Sequence, residues 1–217
     1  GSGGSLGLGG ATVTSLGNTF TEGTGSVRYN HSGNQIVLSE TYYNLGIKNA
    51  GTKSAGGALD IDGTLNIFPS GELAMGTYYA DVANGNNINI DGTLSITTGT
   101  FTTNSSTSDI DGTLTINGAG IYDADGTFDA TNGTVQFTGS GGTIKLGGET
   151  VTSLGNTLTE GTGTIEYDGG AQNVLAENYY NLDLDGGAEK DLTGNTTVNG
   201  VLSWSADVDM ETNGHTL

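Results

Sequence analysis

The sequence predicts an all-β fold, a parallel β-helix (β-solenoid) of about ten rungs of about 20 residues each, with no helices of note. Three observations support this prediction: a composition poor in helix formers, a short motif that recurs along the chain, and a long repeat that returns late in it. Forty glycines and one proline, Pro69, occur among the 217 residues. Because glycine disfavours helices and suits tight turns, we expect short strands joined by turns.

The short motif is an Asx-Gly corner followed by a strand in which apolar and polar residues alternate. It occurs at Ile61–Ile67, Ile90–Ile96, Ile110–Ile116 and Thr131–Phe137. The glycine of such a corner tolerates positive φ. The interval from the first corner to the second is longer than the later intervals, which predicts an insertion of about nine residues within 69–87. Two apolar side chains per strand cannot form a core alone, so successive coils are expected to stack.

Fitted to the whole chain, this spacing predicts one continuous stacked face. Its candidate rungs are Val27/Tyr29, Leu45/Ile47, Leu65/Ile67, Leu94/Ile96, Leu114/Ile116, Val135/Phe137, Ile165/Tyr167, Leu182/Leu184 and Leu202/Trp204, with Ile144/Leu146 squeezed between two of them. About ten rungs at about 4.8 Å give a rod of roughly 50 Å. The main alternative, a pair of immunoglobulin-like sandwiches, would place strands closer together along the chain and without a recurring corner.

The long repeat begins with Thr12–Tyr29, which returns 138 positions later as Thr150–Tyr167. The two blocks differ only at positions 20, 26, 27 and 28 of the first. At about 20 residues a coil, the period predicts about seven turns. We interpret 1–10 as a linker or partial repeat, 11–148 as the first repeat and 149–217 as a second, partial repeat of the same solenoid. Both ends look cut from something longer, which predicts continuation or end-to-end stacking.

The charge and apolar content limit the partners. A net charge of −19 repels phosphate backbones, so nucleic acid is not expected. The absence of cysteine excludes a disulfide scaffold. No run approaches the roughly 20 apolar residues that span a bilayer, so we expect no membrane insertion by this segment.

A family resemblance is carried by short motifs in the second copy: Gly161–Tyr167, Gln172–Val174, Tyr179–Leu184 and Gly194–Leu202. These motifs resemble the Gly/Thr/Asn-rich repeats of very large bacterial surface and secreted, adhesin-like proteins. The resemblance covers most of Thr12–Asn66 and Thr150–Trp204. It implies a parallel β-helix outside the cell, and it implies no particular ligand, because the shared motifs are structural.

Pairs of aspartates two residues apart suggest a calcium site, because alternate residues of a strand face the same side and calcium prefers oxygen ligands. The candidate ligands are Asp60, Asp62, Asp91, Asp109 and Asp111. The alternative is that Asp62, Asp91 and Asp111 only form turns ahead of glycine, a role that asparagine fills at position 132. No other cofactor is expected.

An enzyme is not expected, because a repeat supplies no unique site and the basic residues are few. Arg28 is the only arginine and is Glu166 in the second copy, while the four lysines look scattered. The tyrosine pairs 42–43 and 179–180 each point one ring inward, leaving at most one to stack on sugars. Threonine arrays such as Thr97–Thr103 suggest ice binding, but the corner strands lack a uniform Thr-x-Thr pattern.

The function that we expect is therefore structural: a repeat segment of an extracellular or cell-surface fibre, stalk, sheath or filament that associates with itself. One alternative is an adhesin-type binding module for surface glycans or ice. A less favoured one is a polysaccharide-active β-helix enzyme.

Overall fold

The chain forms one continuous parallel β-solenoid of about ten turns in the computed structural model, which describes residues 3–17, 20–148 and 150–217. Each turn contributes three strands, and the strands of successive turns pair in parallel. Within the described residues every regular element is a strand, and none is a helix that could span a membrane. The predicted fold class and the spacing of about 20 residues are confirmed.

The strands lie on three faces, which we call A, B and C in chain order. Face A contains β1 (Ser5–Leu8), β2 (Ser26–Tyr29), β5 (Asn44–Ile47), β8 (Leu65–Ile67), β11 (Asn87–Ile90), β14 (Thr107–Ile110), β17 (Phe128–Asp129) and β20 (Val151–Ser153). Face B contains β3 (Gln35–Val37), β6 (Thr52–Ala55), β9 (Glu72–Gly76), β12 (Thr93–Ile96), β15 (Thr113–Asn117), β18 (Thr134–Thr138) and β21 (Thr157–Thr159).

Face C is the longest face, with nine strands. It contains β4 (Thr41–Tyr42), β7 (Leu59–Ile61), β10 (Ala80–Val82), β13 (Thr100–Thr102), β16 (Ile121–Ala124), β19 (Thr143–Leu146), β22 (Thr164–Tyr167), β25 (Asn181–Leu184) and β28 (Leu202–Trp204). Two short sheets complete the last turns: β23 (Gln172–Val174), β26 (Glu189–Leu192) and β29 (Asp209–Glu211), and β24 (Asn178–Tyr179) with β27 (Thr197–Val198).

The core consists of ladders of equivalent side chains from successive turns. Val27, Leu45 and Leu65 are in register on face A and are almost completely buried. On face C the rings of Phe101 and Tyr122 stack with centroids 5.5 Å apart and an interplanar angle of 2°. Parallel, in-register pairing brings each apolar residue against its counterpart one turn away, so even short strands suffice to build the core.

The corner glycines do not use the tolerance of glycine for positive φ. Gly63, Gly92, Gly112 and Gly133 do not have positive φ. A Cβ added at Gly112 would instead collide with the backbone oxygen of Gly92, the corner glycine one turn earlier. The other three would also meet backbone oxygens of the neighbouring turn. The corners require glycine because stacked backbones approach closely there, and not because of the backbone conformation.

The prediction of one continuous face is wrong, because the predicted rungs change face twice. The first three, starting at Val27, lie on face A, and the next three, starting at Leu94, lie on face B. Those starting at Ile144, Ile165, Leu182 and Leu202 lie on face C. In the last rung Leu202 packs against the core but Trp204 does not, since it is 55% exposed. All three faces share one pattern of alternation, so the pattern alone does not distinguish them.

The predicted size of the insertion within 69–87, about nine residues, is also wrong. Gly63 lies at the corner between faces C and A, whereas Gly92 lies at the next corner, between A and B. The longer interval between these two glycines is therefore one turn plus one side. The turn is enlarged by three residues, since Leu65 pairs with Ile88, 23 positions on, whereas Ile88 pairs with Ser108, 20 positions on. A bulge opposite the Ser95–Ile96 bond, which adds Met75 to β9, accounts for one of them.

The long repeat does not contain a whole number of turns. The strand Ser26–Tyr29 is β2 on face A, and its counterpart Thr164–Tyr167 is β22 on face C. Twenty strands separate the two, which at three strands a turn makes six and two-thirds turns and corrects the predicted seven. The second copy therefore presents each of its strands on a different face from the first.

The start of the described chain belongs to the solenoid. Its Ser5–Leu8 (β1) pairs with β2 as Thr143–Leu146 (β19) pairs with β22. In sequence, 1–10 match Gly139–Gly148 at seven of ten positions. This correspondence favours the partial repeat over the linker as the interpretation of 1–10.

Candidate functional surfaces

The calcium candidates are divided between different parts of the surface. Asp60 points outward from β7 on face C, and Asp62 lies at the adjoining corner with face A. Asp91 and Asp111 stack at the corner between faces A and B, and Asp109 points outward from β14 beside them. Among the described residues no group of three or more aspartates, glutamates or histidines is arranged to hold a metal ion. Calcium binding at these positions stays a prediction.

The corner between faces A and B carries one of the local concentrations of negative charge. Burial raises the pKa of Asp109, and the carboxylates of Asp111, Asp129 and Asp91 raise it further. The next corner residue is Asn132, whose Nδ2 donates to Asp111 Oδ1 at 3.0 Å. This bond matches the turn-forming interpretation, because the amide occupies the same corner position and also satisfies an oxygen of its neighbour.

A ladder of mostly acidic side chains runs along the outside of face C. In register from turn to turn it comprises Thr41, Asp60, Asp81, Thr102, Asp123, Lys145, Glu166, Asp183 and Ser203. Lys145 Nζ lies 2.7 Å from Glu166 Oε1 and 3.6 Å from Asp168 Oδ2. The hydrogen bond with Glu166 raises the pKa of Lys145. The ammonium group thus relieves part of the repulsion within the ladder.

Burial and mutual repulsion disfavour the charged forms of the carboxylates around Lys145. Burial raises the pKa of Asp123, and nearby Asp125 and Asp168 raise it further. Burial likewise raises the pKa of Asp168, although Lys145 opposes this shift. Asp168 Oδ1 is buried without a hydrogen-bond partner among the described residues. Asp123 and Asp168 therefore take up a proton at a higher pH than free aspartate does.

In each copy, the inward tyrosine of the predicted pair is hydrogen-bonded to a second buried tyrosine, and the two networks are the same. In the first copy, Tyr29 Oη and Tyr42 Oη are 2.9 Å apart, the N–H of Leu38 donates to Tyr29 Oη, and Tyr42 Oη donates to Leu38 O. In the second, Tyr167 and Tyr179 make the same bonds with Leu175. The inward ring predicted for each pair is confirmed by the burial of Tyr42 and Tyr179. Their hydroxyls hold a strand turn inside the coil rather than a ligand outside it.

Two lysines that looked scattered in the sequence are equivalent and buried. Four backbone oxygens, those of Gly33, Asn49, Ala50 and Gly51, lie 2.8 to 3.3 Å from Lys53 Nζ and share its three N–H donors. Lys190 Nζ donates to the oxygens of Gly169 and Gly170. Burial lowers the pKa of both amines. Their role is structural, because the ammonium groups satisfy carbonyls that the winding of the coil leaves unpaired.

A glutamine accompanies each buried lysine one turn before it. Gln35 is in register with Lys53, and Gln172 with Lys190. The Nε2 of Gln172 donates to Leu146 O and Gly148 O, and that of Gln35 donates to the equivalent oxygens of the first copy. β3 and β23 each lie at the end of a sheet and do not pair with a strand of the preceding turn. The glutamine side chains connect them to that turn instead. Sequence reasoning missed this pair, although its spacing is the same in both copies.

Comparisons with known proteins found no family model, no curated protein and no solved structure that matches this chain. The resemblance to large bacterial surface proteins therefore rests on the quoted motifs alone.

Proposed function

We propose that this chain is a length of a structural rod displayed outside the cell, as part of a surface fibre, stalk, sheath or filament. The observation that supports the proposal is the junction between the two copies. At Gly139, where the second copy begins to match the first, the stack continues without a linker. The strand before the junction, β18, pairs with β15 and β21, and the strand after it, β19, pairs with β16 and β22.

Because the junction is continuous, the number of copies would set the length of the rod. Adding a copy extends the core ladders and the hydrogen-bonded faces without creating a new domain boundary. Each copy would lengthen the rod by about 32 Å at about 4.8 Å a turn. An acidic outer surface, such as the face C ladder, keeps neighbouring rods apart in solution and favours assembly along the axis over indiscriminate clumping.

The experiment is a length series. The chain is compared with versions that carry one and two additional copies of residues 1–138 ahead of residue 1, and the maximum dimension is measured by small-angle X-ray scattering and electron microscopy. We expect single rods that lengthen by about 32 Å a copy at constant cross-section. Separate globules joined by bends, or growth in cross-section instead of length, would contradict the proposal.

The extracellular location is tested separately. An antibody raised against the rod is expected to label intact cells of the source organism. Labelling that requires permeabilised cells would contradict the location without affecting the rod.

A second candidate function, binding to ice, is favoured by the outer side of face B. In the last four strands of this face the first outward position is Thr93, Thr113, Thr134 and Thr157, all in register, while the strand before them carries Glu72 there. The second position is Ser95, Thr115, Gln136 and Thr159. Of the three corner-strand residues that depart from Thr-x-Thr, Asn66 lies on face A, while Ser95 and Gln136 lie on face B. Over these four strands there are two ranks of uncharged polar groups, mostly hydroxyls, with the regular spacing of a parallel sheet.

Measurement of thermal hysteresis separates this candidate from the rod proposal. Ice binding predicts a gap between freezing and melting points that is lost when Thr115 is replaced by lysine and kept when the matched outward residue of face C, Thr102, is replaced in the same way. Absence of a gap in the unaltered chain would remove this candidate.

A further inference from the structure

One corner of the first copy departs from the regular solenoid and exposes two aromatic rings. The bulge in β9 is followed by a tight turn in which the N–H of Tyr78 donates to Met75 O at 3.1 Å. Tyr78 and Tyr79 are 41% and 46% exposed. By the register of face C, the corner position of Tyr78 is taken by Gly99 and then Gly120 in the next two turns. The position of Tyr79 is taken by Thr100 and then Ile121, so the pair of aromatic rings is a local feature of this turn.

Tyr79 forms one wall of a cleft of about 520 Å³ on the outside of face C. The cleft crosses three successive turns and includes Thr41 and Glu40 on the first, Leu59 and Asp60 on the second, and Tyr79 and Asp81 on the third. The N–H of Leu59 donates to Tyr79 O at 3.0 Å, which fixes the backbone below the ring. A volume of this size lies within the usual range for small-ligand sites.

The oxygens of the cleft are held in place and remain able to accept further hydrogen bonds. Asp81 Oδ1 accepts from Asn104 Nδ2 at 2.7 Å and from Tyr79 Oη at 3.3 Å. Asp60 Oδ2 accepts from Thr41 Oγ1 at 3.2 Å. Within the described part of the chain, the second oxygen of each aspartate has no donor. These two oxygens belong to residues that line the same cleft as the exposed ring.

The chemistry of the lining selects the class of ligand. Three carboxylates, those of Glu40, Asp60 and Asp81, line the cleft, and the described lining residues include no lysine or arginine. Anionic ligands are repelled, while a ligand rich in hydroxyl donors can satisfy the free oxygens. The exposed face of Tyr79 suits the C–H face of a sugar ring, which is apolar while its edges are polar. We propose that this cleft binds a short neutral saccharide, stacked on Tyr79 and hydrogen-bonded by Asp60 and Asp81.

The second copy supplies an internal comparison. Through the match of Tyr42 with Tyr179, the residues equivalent to Glu40, Asp60 and Tyr79 are Glu177, Thr197 and Thr216. The second copy thus keeps the glutamate at the position of Glu40 but lacks the carboxylate of Asp60 and the ring of Tyr79. One saccharide is expected to bind per chain, at the first copy alone. Binding here is independent of whether the rod extends further.

The experiment uses the full chain and a panel of neutral tetrasaccharides (β1,4-glucan, α1,4-glucan, β1,4-xylan and β1,4-linked N-acetylglucosamine). Binding is measured by calorimetry and saturation-transfer NMR, with sialylated and cationic chitosan oligomers as the charged arms. We expect at least one neutral ligand to bind at one site per chain. Tyr79→Ala should weaken its affinity at least about tenfold, and Asp60→Asn at least about threefold.

Tyr78→Ala is the matched control, because Tyr78 is similarly exposed and does not line the cleft. It should leave the affinity within about twofold, and all three variants should keep the unaltered melting temperature because the side chains are at the surface. The proposal is overturned by no binding of any neutral oligosaccharide, by equal loss in the Tyr78 and Tyr79 variants, or by binding of the cationic oligomer alone.

Discussion

The same sequence has two different structures in the two copies of the repeat. Val151–Ser153 is the strand β20, which pairs with β17 of the preceding turn. Val13–Ser15, its identical counterpart, is not in a strand. The positions that would correspond to β17 fall outside residues 1–217, so none of the described strands pairs with Val13–Ser15 on that side. Neither copy is paired on the other side among the described strands, since face A ends at β20. Strand formation in this solenoid thus depends on the neighbouring turn more than on the local sequence.

The largest effect that tests this comparison is the ordering of Val13–Ser15 by an added copy. With residues 1–138 placed ahead of residue 1, these three residues gain the neighbour that β20 has. We expect their amide hydrogens to exchange at least about 100-fold more slowly, as measured by hydrogen exchange with NMR detection. Val151–Ser153 serves as the control and should not change. Equal exchange of Val13–Ser15 with and without the added copy would show that the missing neighbour is not the cause.

The next effect compares one glycine in its two settings. A Cβ at Gly163 would enter the ring of Phe137, whereas a Cβ at the equivalent Gly25 would meet nothing closer than Gly4 O at 3.0 Å. Gly163→Ala should therefore lower the free energy of unfolding by about 1–3 kcal/mol, and Gly25→Ala by clearly less. Urea titration measures both. Similar losses in the two variants would mean that the neighbours of the copies differ less than the structure indicates.

The tyrosine networks should respond alike, because they are the same in both copies. Tyr42→Phe removes the bonds to Tyr29 and Leu38, and Tyr179→Phe removes those to Tyr167 and Leu175. Each is expected to lower the free energy of unfolding by about 1–2 kcal/mol, since a partly buried backbone oxygen loses its donor and the buried hydroxyl of the second tyrosine loses its partner. Denaturation curves that separate the two variants by more than this range would show that the networks are not equivalent.

The same tyrosines predict a loss of stability at alkaline pH. Burial raises the pKa of Tyr29, Tyr42 and Tyr179, and it raises that of Tyr167 to about 12. Because the folded pKa exceeds the unfolded value of about 10, the stabilisation is complete below about pH 10 and is lost as the pH rises toward the folded pKa. The melting temperature should fall above about pH 10, and less steeply in Tyr179→Phe. An unchanged slope in that variant would remove Tyr179 as a source.

The smallest effect concerns the one difference in charge between the matched blocks. Glu166 pairs with Lys145, while Arg28, its counterpart, lies between Gly7 and Gly46. Glu166→Arg loses this ion pair but places a cation beside Asp183 and Asp168, so the free energy of unfolding should change by less than about 1 kcal/mol. A larger loss, measured by thermal melting in low salt, would show that the acidic ladder depends on this one pair.

The sequence predicted the stacked coils and their spacing because each turn repeats the same glycine corner and the same alternation. It did not predict the faces, since Leu65, Leu94 and Leu182 follow the same pattern on faces A, B and C. It also missed the buried Lys53 and Lys190, because composition-based reasoning places lysine at the surface. The recurring interval from Gln35 to Lys53 and from Gln172 to Lys190 was the available signal. The Tyr79 cleft depends on a bulge at Met75, which no alternation pattern contains.

Each copy spans six whole turns and a further two-thirds of a turn, so successive copies are related by a screw operation. Each copy is shifted along the axis and rotated so that its strands fall on another of the three faces. Three successive copies restore the starting orientation after twenty turns. An array of such copies would carry every surface feature around its circumference at regular heights. A rod of this kind has no front or back, and a partner approaching from any direction meets the same feature within three copies.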